Sequence, residues 1–63
     1  MEMLPKDPFM LLSYVNTQLR DNYSSLEDFA AGMGIEPEEI KEKLAKLNYI
    51  YDEALNKFIP ENQ

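Results

Sequence analysis

The sequence has no cysteine, no histidine and no tryptophan, and only two of its 63 residues are glycine. Without cysteine there is no disulfide framework, and without cysteine or histidine there is no ordinary structural zinc site. Two staples of small scaffolds are therefore excluded. The same absences remove the imidazole base and the thiolate nucleophile from any catalytic scheme. Long apolar runs are missing too. The most apolar stretch, Phe9 to Val15, is broken by Ser13 and Tyr14, follows Pro5 and Pro8, and has Glu2 and Asp7 where a signal peptide would be cationic. The reading is neither a signal peptide nor a membrane span, and the expected location is the cytoplasm, where a chain without cysteine needs no oxidising environment. Positive charge is scarce: six Lys and Arg against twelve Asp and Glu give a net charge of −6. Such a chain repels phosphate backbones and anionic lipid at long range, so nucleic acid and membrane are disfavoured as partners, while a protein partner or self-association is left open. The simplest role of the charge is to keep a small domain dispersed.

What is present fits a single domain. A chain this short buries only about 60% of the surface its unfolded form exposes, so one core must suffice or a partner must help. Residues 1–6 read as an arm, 7–59 as the domain and 60–63 as a tail. Asp7 and Pro8 form an N-cap followed by proline at the first helical position. Leu11, Leu12, Val15 and Leu19 then share one arc of a helix whose opposite arc holds Ser13, Asn16, Thr17 and Arg20. Asp21-Asn22-Tyr23 breaks the pattern. Ser24 or Ser25 offers the next N-cap, with Glu27 or Asp28 as the other half of a capping box. Leu26, Phe29, Ala30 and Met33 line the second helix, and Gly34 ends it. Pro37 opens a third helix with Glu38 and Glu39 near its positive end, with Ile40, Leu44 and Leu47 as the buried stripe and Asn48 as the C-terminal cap. Tyr49-Ile50-Tyr51 and Lys57-Phe58-Ile59, the latter closed by Pro60, have the β-branched and aromatic character of a hairpin. The expected fold is mainly α: a tri-helical, helix-turn-helix-like domain with a C-terminal two-stranded β-hairpin, a reduced winged helix. Leu12, Val15, Leu19, Phe29, Ile40, Leu44, Leu47 and Phe58 are expected to share the core.

The helix-turn-helix pattern rests on Ala30, on Gly34 four residues later, and on the apolar positions Phe29, Met33, Ile35 and Ile40. It departs from the usual pattern at Lys43, with the apolar Leu44 one residue further on. At DNA, the exposed face of the third helix would carry Glu36, Glu38, Lys41, Glu42 and Ala45 into the major groove. From Glu36 to Glu42 the chain has four glutamates and one lysine, a local charge of −3 that opposes phosphate neutralisation. A solvated face is the simpler reading, and a winged-helix DNA-binding regulator ranks second to a protein-interaction module.

Other chemistry finds little support. Ser13, Ser24 and Ser25 have no partner base. Gly32 and Gly34 follow a helix instead of a strand, a turn signal and not a phosphate cradle. Asp52, Ala54 and Asn56 resemble the start of a calcium loop, yet Ala54 replaces a ligand and Lys57 stands where the sharp-turn glycine belongs. Asn22-Tyr23-Ser24 fits a glycosylation acceptor without the secretory signal that would give it meaning. No enzyme activity, cofactor, metal or small-molecule substrate is expected.

The opening Leu4-Pro5-Lys6-Asp7-Pro8-Phe9-Met10-Leu11-Leu12-Ser13-Tyr14-Val15-Asn16, continued by Leu19-Arg20-Asp21, Tyr23, Ser25-Leu26, Leu44, Tyr49-x-Tyr51-Asp52 and Asn56-x-Phe58, resembles a family of very short bacterial proteins known as a domain of unknown function. The resemblance implies a small free-standing bacterial protein and brings no activity, cofactor or catalytic residue. Asn48 departs from it, standing where such sequences often have glycine. Among its polar members, Arg20, Asp21 and Tyr23 form a candidate recognition cluster, with a helix-end and turn-capping role as the simpler reading. Met10 and Tyr14, one turn apart and too apolar for a freely solvated edge, are the other candidate interaction residues. The arm, with Met3 and Leu4, or the hairpin would cover them from within; a partner or second copy would cover them from outside.

Overall fold

Aspartate before proline starts a helix well, because its carboxylate accepts from a free N–H of the first turn and proline has no N–H to leave unpaired. In the computed structural model, which describes residues 4–61, Asp7 Oδ2 accepts from the Met10 N–H at 3.1 Å and Pro8 opens α1 (Pro8–Asp21). There follow α2 (Leu26–Met33), α3 (Pro37–Ala45), β1 (Tyr49–Asp52) and β2 (Lys57–Pro60). Three helices and a two-stranded antiparallel hairpin match the expected reduced winged helix. Of the N-terminal arm, Leu4 packs against the core; Met3 lies outside the described residues.

Local chemistry explains each boundary. Ser25 caps α2, its Oγ accepting from the Asp28 N–H at 3.0 Å. The Asp28 carboxylate accepts from Ser24 Oγ at 3.0 Å, so both serines hold the same residue. At the other end Gly34 takes φ +74, and the Ile35 N–H reaches back to the Ala30 carbonyl at 3.0 Å, the closure that a left-handed residue permits. Gly32, inside α2, lets Tyr23 lie close: a Cβ there would stand 3.0 Å from the tyrosine ring. The Glu36 N–H donates to Glu39 Oε1 at 3.3 Å at the start of α3. That helix ends earlier than expected, with Lys46 as its C-cap. Asn48 is no cap but the residue at φ +63 that turns the chain into β1.

The hairpin pairs Tyr49 with Pro60, Ile50 with Ile59, Tyr51 with Phe58 and Asp52 with Lys57. Period-two alternation puts Tyr49, Tyr51 and Phe58 on the face toward the helices and Ile50 and Ile59 on the other. β2 lies against α1, and β1 against α3.

The core is Leu11, Val15, Leu19, Leu26, Phe29, Ala30, Ile40, Leu44 and Phe58. Two expected members stand at its rim. Leu12 and Leu47 are half-buried and pack against the cluster, while Leu11 and Leu26 are inside it. Leu11, Val15 and Leu19 recur every four residues on one line, and Leu12 is turned about 100° away from that line toward β2. Leu47 follows the end of α3 and so leaves the helical stripe. Met33 is likewise half-buried.

Candidate docking groove between the first helix and the hairpin

An edge strand presents unpaired backbone groups, and here a side chain meets them. The Phe58 N–H donates to Asn16 Oδ1 at 2.8 Å, and Asn16 Nδ2 donates to the Phe58 carbonyl at 3.2 Å. The Asn16 amide thus imitates one residue of a neighbouring strand. This corrects its expected place on the solvated arc of α1: Asn16 is half-buried, and an asparagine can satisfy an N–H and a C=O at once. Pro60, the next residue of β2 to face the same way, has no N–H.

Asn56 ties down the other end of β2. At φ +54, its Nδ2 donates to the carbonyls of Leu19 and Tyr23, each at 3.0 Å. Its Oδ1 accepts from the Tyr51 hydroxyl at 2.7 Å, and that hydroxyl accepts in turn from the Leu26 N–H at 3.1 Å. One network therefore joins the hairpin turn to the end of α1 and the start of α2.

Held by these two asparagines, α1 and β2 enclose an open groove. Phe9 and Leu12 flank it at the start of α1, Ile59 and Pro60 line it from β2, and Leu55 stands at the turn end. Phe9 is 66% exposed and Leu55 59%, two of four large apolar side chains so exposed among the described residues. Arg20 and Lys57 are the charged side chains of the lining, which contains no carboxylate. On a chain of net charge −6, that absence sets this face apart.

A second region of the surface is acidic. Glu36, Glu38, Lys41, Glu42 and Ala45 of the third-helix region are all exposed. Glu27, Glu36, Glu38 and Glu53 surround a second cleft between β1 and the starts of α2 and α3, with Lys41 as its cation.

The structure divides the residues singled out from the sequence. Arg20 and Asp21 form a bidentate ion pair, with Arg20 Nε at 2.9 Å and Nη2 at 3.0 Å from the carboxylate oxygens. These hydrogen bonds raise the arginine pKa and hold the Asp21 carboxyl below its ordinary value. Both side chains are exposed. Tyr23 is turned away from them, its ring edge-on to Phe29 at 5.3 Å, so the three do not form one cluster. Met10 is 63% exposed, whereas Tyr14 is half-buried and meets Phe29 edge-on at 6.2 Å. Of the five, Arg20 lines the groove. Phe9, Leu55, Asn16 and Lys57 were not singled out. The available signal was the spacing Phe9, Leu12, Asn16 and Arg20, a helical stripe beside the core stripe that mixes apolar and polar residues and reads as solvated.

No helix among the described residues is long and apolar enough to cross a membrane. No curated protein and no solved structure matches the chain. A family model does match, from residue 5 to residue 58, a span that contains all three helices and both asparagines of the groove. The chain belongs to the family described as the domain of unknown function DUF4250.

Proposed function

We propose that this chain is a non-enzymatic protein-interaction module whose docking surface is the groove between α1 and β2. The observation that carries the reading is the groove's lining: exposed Phe9 and Leu55 at its two ends, Leu12, Ile59 and Pro60 among the polar Ser13, Asn16 and Thr17 between them, and no carboxylate. Exposed apolar side chains grouped along one concavity mark contact surfaces more than scattered ones do. Arg20 and Lys57 select the occupant by charge, a protein segment that presents apolar side chains with carboxylates beside them. The Ser13, Ser24 and Ser25 hydroxyls have no imidazole or thiol to work with in this sequence, which supports a binding role over a catalytic one.

A DNA-binding regulator of the winged-helix kind is the second reading, favoured by the order of three helices and a hairpin. The acidic exposed face of the third helix weighs against it, because phosphate neutralisation supplies most non-specific affinity. Two measurements test the ranking. At 50 to 100 mM salt, filter binding with random duplex DNA should show no complex at about 1 to 10 μM protein; a salt-sensitive complex there reverses the order. In a lysate of the cells that make it, the tagged protein should capture a partner that the Phe9→Ser/Leu55→Ser double variant loses and the Met10→Glu variant keeps. Equal capture by all three removes the groove from the reading.

A further inference from the structure

We propose that the segment received by this groove is an amphipathic α-helix of a partner protein, with its carboxylates placed against Arg20 and Lys57. This rests on the docking reading above and specifies the form of the partner.

The form follows from where the backbone bonds of β2 go. In an antiparallel hairpin alternate residues direct their N–H and C=O toward the partner strand and away from it. Phe58 directs both groups at Asn16, so Phe58 and Pro60 are the residues of β2 that face outward, and Lys57 and Ile59 face β1. The Phe58 N–H is taken and Pro60 has none. A segment added as a strand draws its affinity from main-chain hydrogen bonds, and the groove side of β2 has no N–H left to give. A helix satisfies its own backbone and presents only side chains, which is what a groove with no free backbone N–H on β2 and a wall of mixed apolar and polar side chains can bind. From Phe9 to Arg20 the wall formed by α1 is about 16 Å long, room for about three turns of docked helix with apolar residues at i, i+3 or i+4, and i+7.

The polarity follows from charge. Lys57 adjoins Asn56, which bonds to the Leu19 carbonyl, so Lys57 and Arg20 share the Leu55 end of the groove. Arg20 is half committed to Asp21, the one ion pair among the described residues, which leaves Lys57 as the freer cation. Carboxylates on the incoming helix belong at that end.

Three synthetic peptides of equal length test this by fluorescence anisotropy against the full chain at low salt. One is a stapled helix with leucines at the spacing above and glutamates at one end. The second has lysines for those glutamates, and the third is an alternating valine-glutamate peptide that adopts an extended form. The glutamate helix should bind with a micromolar dissociation constant and the lysine helix about tenfold more weakly, the scale of two partly exposed charge contacts. Lys57→Glu should invert that order, and Phe9→Ser/Leu55→Ser, with its helical circular dichroism unchanged, should abolish both. Tighter binding of the extended peptide overturns the helix while leaving the docking reading intact. A lysine helix preferred by the parent chain, or an order indifferent to Lys57→Glu, overturns the charge assignment. If none of the three binds, the groove is not a docking surface and both readings fall.

Discussion

Asn16 pairs with Phe58 as a neighbouring strand would, one side-chain amide serving both the N–H at 2.8 Å and the C=O at 3.2 Å. The contact spans 42 residues of sequence and fixes the distance between α1 and the hairpin. It also gives a short sheet edge the protection that proteins otherwise obtain from charge, bulges or proline.

Asn16→Leu keeps much of the volume and removes both bonds. Two part-buried backbone groups then lose their partners, and each such loss costs about 1 to 3 kcal/mol, less where water can enter. We expect a fall in stability of about 2 kcal/mol and, because the edge is uncovered, concentration-dependent association. Urea unfolding gives the first and light scattering the second. A variant as stable as the parent would mean that water replaces the amide without penalty.

The elements were legible in the sequence because their signals are local. Asp7-Pro8, Gly34 and Pro37 each act within one turn of chain, and the hairpin announces itself by the change from helical to alternating apolar residues. Partners across space were not legible. Asn16 and Asn56 read as solvated or turn residues because an asparagine's local preferences do not reveal what its amide will meet 42 or 37 residues away. The groove stayed hidden for the same reason: its walls come from α1 and β2, and neither segment alone shows an unusual apolar face. Where the expectation concerned angle on α1, it missed at two positions, Leu12 taken for Leu11 in the core and Asn16 placed on the solvated arc.

That angular difference is measurable. Leu44 is fully buried, and Leu44→Ala should cost about 2 to 5 kcal/mol. A domain of this size has only about 3 to 9 kcal/mol in total, so much of the population should unfold at room temperature. Leu12→Ala, at the half-buried rim, should cost clearly less than Leu11→Ala in the same urea series. Equal losses at 11 and 12 would contradict the placement of α1 on the core.

Asn48 at φ +63 gives a prediction of opposite sign. Left-handed backbone is open to glycine and tolerated by asparagine, but costs other L-residues about 1 to 2 kcal/mol. Asn48 is exposed, so little side-chain contact is at stake. Asn48→Gly should leave the melting temperature unchanged or raise it, and Asn48→Ala should lower it by several degrees for about 1 kcal/mol lost. The order Gly ≥ Asn > Ala, read by calorimetry, checks the turn that leads into β1.

Met10 and Tyr14 looked from the sequence like one apolar edge under one cover, and the structure separates them. Tyr14 sits half-buried against Phe29, so Tyr14→Ser should cost about 1 to 3 kcal/mol through lost aromatic packing and area. Met10 is 63% exposed and lies in the first turn of α1, where its N–H is bonded to Asp7. A glutamate there loses little contact and meets the positive end of the helix dipole, which favours it by about 0.3 to 1 kcal/mol. Met10→Glu should therefore keep or slightly raise the melting temperature, while Tyr14→Ser lowers it. Mass by light scattering completes the test. An unchanged mass in Met10→Glu places this methionine outside any self-contact of the chain. A dimer in the parent that Met10→Glu dissolves would move the interaction surface from the α1–β2 groove to the start of α1.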